Sequence, residues 1–103
     1  MIAQRTGTKG GPELPKELYV FFTDTCWDYK QHEPVIDEFA AENPDIVVEK
    51  FNFTDMSYPP TSYHVSKYDV KQSPTYIGVV DGQVIDRQNG GKPSKFALRS
   101  LLG

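Results

Sequence analysis

Cys26 is the one thiol in the chain, and a lone cysteine cannot close a disulfide within its own chain. It is either inert filler or the reactive centre. Its place favours the second. Cys26 follows the apolar run Leu18-Tyr19-Val20-Phe21-Phe22 after the link Thr23-Asp24-Thr25, and the helical pattern that comes next puts it in a first helical turn. There, unpaired amide protons and the helix dipole favour an anion. A thiol in such a setting can have its pKa drawn below about 8.5, which raises its reactive thiolate fraction. Desolvation and the carboxylate of Asp28 pull the other way. The other polar residues make no rival centre. His32 and His64 lie far apart, with no further ligand types at metal spacing, so no metal site is expected. Asp37-Glu38 and Asp69 read as solvated charges, and no carboxylate pair for hydrolysis stands out.

The elements that must position Cys26 follow from pattern. Leu18–Phe22 suits a strand buried on both faces. The helix after it, capped by Asp24 or Thr25, carries Tyr29, His32, Val35, Ile36, Phe39 and Ala40 at spacings of three and four and stops at Asn43-Pro44. Pro34 sits inside it, where it removes a backbone donor and is expected to kink the axis. Ile46 to Phe53 reads as a second strand, parallel to the first across a right-handed connection. Thr54 to Tyr68 is rich in Tyr, Ser and Pro; Pro59-Pro60 is expected to break any helix, which leaves at best a short one in the second half. Thr75–Val80 and Gln83–Arg87 flank Asp81-Gly82 as a tight hairpin. After Gly90-Gly91, Ser94 caps a last helix whose Phe96, Leu98, Leu101 and Leu102 are expected to face the sheet. Residues 1–16 read as a loose arm with a short first strand at Ile2–Arg5, and residues 17–103 as one domain.

Composition narrows the function classes. At 103 residues, 38% apolar and 24% charged, the chain has one core's worth of material and is not expected to be disordered. Eleven basic against 14 acidic residues give a net charge of -3 with no Lys/Arg cluster, so nucleic acid is a poor partner. With no signal-like leader, no run of about 18 apolar residues and one cysteine, a reducing, cytoplasmic setting with no membrane association is expected.

The stretch from Cys26-Trp27-Asp28-Tyr29-Lys30 to Phe39-Ala40 resembles the active-site helix of thioredoxins, which opens Cys-Gly-Pro-Cys-Lys and carries a proline where this chain has Pro34. Ser73-Pro74-Thr75 resembles the family's cis-proline motif, Asp81-Gly82 its hairpin turn, and Gly90-Gly91 the glycine before its last helix. Together these cover Leu18 to Leu102 in the family's order. The resemblance implies a thioredoxin-like α/β fold, with a central mixed sheet of four to five strands flanked by helices. The departures are equally specific. The second cysteine is Tyr29, the buried acid of the central strand corresponds to Val20, and the tryptophan before the first cysteine corresponds to Thr25. The N-terminal unit is truncated, and the Asn52–Pro74 stretch is longer, with Tyr58-Pro59-Pro60 and Tyr63-His64 in the excess.

What the resemblance implies is monothiol thiol–disulfide exchange through Cys26, released by an outside thiol such as glutathione, with no resident cofactor. Tyr29, one turn on, either donates its hydroxyl to the sulfur or fills the space of the missing thiol. Trp27, Ser73, Pro74 and Thr75 would form a platform for a protein or peptide partner, with Ser73 presenting free backbone beside a cis bond. The alternative is a non-catalytic module that holds a partner protein in the same groove. The tyrosine-rich link is expected to wall one side of the cleft, and the chain to act as a monomer or weak dimer.

Overall fold

In a computed structural model that describes residues 14–103, the aromatic and β-branched run around Val20 forms strand β1, Lys16–Phe22. Side chains alternate across a strand, and β1 feeds two cores: Leu18 and Val20 enter one, Tyr19 and Phe21 the other. Helix α1, Trp27–Glu42, crosses over to β2, Ile46–Asn52, which pairs with β1 in parallel. Helix α2, Pro59–Lys67, leads to β3, Thr75–Val80, which lies antiparallel to β1 on its other side. Strand β4, Gln83–Asn89, pairs back on β3, and α3, Lys95–Ser100, closes the chain. The result is a four-stranded mixed sheet of order β2-β1-β3-β4 with three helices around it. The expected strand at Ile2–Arg5 and most of the arm lie outside the described residues. No helix among those described is long and apolar enough to cross a membrane.

The first core joins Leu18, Val20 and Tyr76 to Tyr29, Ile36 and Phe39 of α1 and to Leu98 at α3. The second packs Tyr19, Phe21, Phe51, Ile77 and Val79 with Val65 and Tyr68. There the His64 ring stacks on Phe51 at 4.5 Å. Close approach of α3 to the sheet requires Gly78, because a methyl at that position would run into the Leu101 carbonyl. The hairpin turn holds Asp81 and Gly82 at φ 53° and 77°, the doubly positive pair that matches the twist of its flanking strands.

Three expectations need correction. Pro59-Pro60 does not break α2 but begins it, since a first-turn proline lacks only a donor that no helical carbonyl would have met. The N-cap of α1 is Cys26, not Asp24 or Thr25, because Asp24 is engaged elsewhere: its amide donates to Thr54 Oγ1 at 2.7 Å and its carboxylate accepts from Asn52. Phe96 is 82% exposed while Leu98, Leu101 and Leu102 are buried. Two residues before Leu98 is roughly 200° around a helix, so Phe96 points away from the sheet. Ser94 does cap α3, accepting from the Ala97 amide at 3.1 Å.

Candidate active site at the start of α1

Cys26 stands where β1 has ended and α1 has not quite begun. Its amide donates to the Thr23 carbonyl and its carbonyl accepts from the Lys30 amide, each at 3.1 Å, so the backbone on both sides is fixed. Its φ of -77° and ψ of 103° are extended, and its side chain makes no capping hydrogen bond. The thiol is half-buried, packed on the edge of the first core. Trp27 beside it is 69% exposed.

The loop before β3 meets this turn. Thr23 donates its amide to Ser73 Oγ at 3.0 Å, and the Ser73–Pro74 peptide bond is cis. The Pro74 carbonyl accepts from the Gly90 amide, and Thr75 Oγ1 donates to the Gln72 carbonyl at 2.7 Å. Of the four platform residues, then, Trp27 is exposed and Ser73 half-exposed. The side chains of Pro74 and Thr75 are fully buried, so they hold Ser73 in place and offer no contact surface of their own.

Tyr29 does not serve the sulfur. Its hydroxyl donates to Glu33 Oε2 at 3.0 Å, and its ring, 3% exposed, stacks on Phe22 with centroids 4.1 Å apart and planes within 9°. Burial pushes the phenol up to about 12, against the opposing charge of Lys50, and the bond to Glu33 adds to the rise. The space-filling alternative describes this side chain.

Lys50 and Glu33, not singled out from sequence, complete the surroundings together with Asp37, which was expected to be a solvated charge. Lys50 Nζ reaches Asp37 at 2.6 Å and Glu33 at 2.9 Å. Burial alone would pull its ammonium down, but those two carboxylates outweigh it and hold the charge above its ordinary range. Register explains the meeting: Lys50 lies across from Val20 of β1, under α1, and Glu33 and Asp37 are one helical turn apart. The available signal was that spacing. The flank of α1 carries a hollow of about 340 Å³ lined by Phe22, Thr23, Asp24, Tyr29, Lys30 and Glu33. Asp24 also borders a second hollow, walled by Tyr58 and Thr61 of the tyrosine-rich link together with Lys50, Asn52, Thr54 and Asp55. Among the described residues, no group of three or more His, Cys, Asp or Glu is arranged to hold a metal ion.

His32 is 5% exposed on the buried face of α1. Burial pushes its imidazole below its ordinary range; a backbone hydrogen bond to Pro93 opposes this and the nearby Lys92 charge reinforces it. Chemically, the turn offers a half-buried thiol at a helix start, one exposed aromatic neighbour, and an adjoining loop pinned by Ser73.

Comparison with known proteins agrees with this geometry. No family model matches the chain. Thioredoxin of Chlamydia pneumoniae is 32% identical over 85 residues, which covers 82% of this chain and 78% of the relative. Thioredoxin of Chlamydia caviae is 32% identical over 84 residues with the same shares. Among solved structures, thioredoxin of Fasciola hepatica superposes with a TM-score of 0.70 over 84% of this chain and 76% of its own, at 23% identity, and so speaks for the fold alone. With the sheet order, the placement of Cys26 and a curated relative above 30% identity over most of both chains, the protein belongs to the thioredoxin family.

Proposed function

We propose that this chain carries out monothiol thiol–disulfide exchange on a protein or peptide disulfide, with Cys26 as nucleophile. The observation that carries the reading is the half-buried thiol at the N-cap of α1, engaged in no capping bond, with the phenol of Tyr29 filling the position one turn on. The sulfur gives its proton to solvent and attacks one sulfur of the substrate disulfide. That S–S bond breaks, the departing sulfur takes a proton, and a mixed disulfide joins Cys26 to the substrate. No second thiol exists in the chain to release it. One glutathione thiolate displaces the substrate, a second displaces Cys26, and the pair departs as oxidised glutathione. The substrate gains two electrons and two protons that two glutathione thiols lose. Trp27 and Ser73 make the contacts with the partner, and a reducing, cytoplasmic compartment supplies the thiol. Disulfide reduction should be measured with glutathione present, alongside the Cys26→Ser variant and a mass-spectrometric search for the mixed disulfide. Turnover that vanishes with Cys26→Ser is expected; equal rates in the two proteins would refute the proposal.

A second reading keeps the groove and drops the chemistry. Val20 brings only methyl groups to the core under α1 while Trp27 stays exposed, a combination that suits a surface for holding a partner. Partner affinity unchanged by Cys26→Ser, together with no turnover, would select it.

A further inference from the structure

Beneath α1 lie two buried polar atoms that have no hydrogen-bond partner among the described residues, the Tyr76 hydroxyl and His32 Nε2. Their rings meet edge to face with centroids 6.2 Å apart, and Tyr76 is fully buried. A buried hydroxyl without a partner gives up its hydration and receives nothing back. Phenylalanine would pack better there. The register places Tyr76 directly across from Val20, on the face that α1 covers. Cys26 packs against the same cluster. The groups whose charge reaches the hydroxyl are Tyr29, Cys26 and Asp28, all at the cap or first turn of α1.

Each of these neighbours leaves the Tyr76 proton free to choose. Tyr29 commits its own proton to Glu33. Asp28 is solvent-exposed. His32 Nε2 has no partner of its own, and with the ring proton on Nδ1 it is an acceptor. Two acceptors lie in the packing around the Tyr76 hydroxyl, His32 Nε2 and the Cys26 sulfur, and it is bonded to neither. We propose that the Tyr76 hydroxyl is a further group of the reactive site: it turns toward the sulfur when Cys26 loses its proton, and donates a hydrogen bond to the thiolate while keeping its own proton. His32 Nε2, bonded to nothing in this structure, is the other acceptor that competes for it. The proposal rests on the reading of Cys26 as a nucleophile.

The test is the pH profile of Cys26 alkylation by iodoacetamide in the full chain, in Tyr76→Phe and in His32→Leu. A hydrogen bond to a charged group corresponds to an upward shift of the alkylation midpoint by about one to two pH units in Tyr76→Phe. The melting temperature should be unchanged or raised. His32→Leu should shift the midpoint down, because the competing acceptor is gone. An unmoved midpoint in Tyr76→Phe overturns the proposal, as does loss of the fold in that variant, which would assign the hydroxyl to structure. Alkylation does not depend on turnover, so the two readings fail separately. An unmoved midpoint in a protein that still reduces disulfides sinks the Tyr76 role alone; a moved midpoint without turnover sinks the exchange reading alone.

Discussion

Replacing Tyr29 by cysteine probes the geometry on which the site depends. The Tyr29 ring is buried against Phe22 and belongs to the same cluster on which Cys26 packs, so position 29 already directs its side chain toward the sulfur's side of the helix. Removing a buried aromatic ring costs about 3–5 kcal/mol, and the sulfur that cysteine brings in place of part of the ring puts Tyr29→Cys near the lower end. Oxidation should then join the two thiols, since the chain from residue 26 to residue 29 has the spacing of a Cys-x-x-Cys pair. Closing so short a loop restores roughly 2 kcal/mol. The reduced variant should therefore sit about 3 kcal/mol below the parent and the oxidised one about 1 below. For a domain of this size a kilocalorie moves the melting temperature by about 4–8 °C, so the two redox forms should melt about 8–16 °C apart. Thermal melts with and without dithiothreitol, paired with a thiol count, measure this. Two free thiols after treatment with oxidant, or coincident melts, would show that positions 26 and 29 do not face each other and would undo the account of Tyr29 as the occupant of a vacated place.

Lys50→Met should leave Glu33 and Asp37 facing each other without their shared cation; a loss of about 1 kcal/mol, read as a melting point lower by about 4–8 °C and partly recovered by salt, is expected, and an unchanged melt would refute the network's role. For His32, burial holds the folded imidazole below the ordinary value of about 6.5. Below that value the unfolded chain takes up a proton that the folded chain refuses, so stability is full above about pH 6.5 and declines as pH falls toward the depressed value. Melts between pH 7 and 5 should decline less steeply in His32→Leu than in the parent; parallel declines would contradict the assignment.

The architecture was legible wherever local chemistry alone determines structure. The run around Val20 is too apolar on both sides of the strand to be anything but central, and it is. Asp81-Gly82 accepts positive φ at both positions, and Ser94 needs only the Ala97 amide three residues on. What escaped notice depends on segments meeting from far along the chain. Asp24 would cap α1 had Asn52 and Thr54 not taken it. Lys50 meets Glu33 and Asp37 only because β2 pairs with β1 in one particular register. Phe96 misled because its apolarity was counted without its angle around α3, and Pro59-Pro60 because a proline's effect depends on whether it falls in the first turn or later. Cys26 itself was found by position, but the burial of Pro74 and Thr75 and the engagement of Tyr29 with Glu33 required the assembled core.

The bond from Thr23 to Ser73 spans fifty residues of chain. It means that the address of the sulfur is written in two distant places: β1 brings the turn to the rim of the sheet, and a hydroxyl from just before β3 anchors it there. A fragment ending ahead of residue 73 would still contain the thiol, yet would lack the anchor that makes its neighbourhood a defined one.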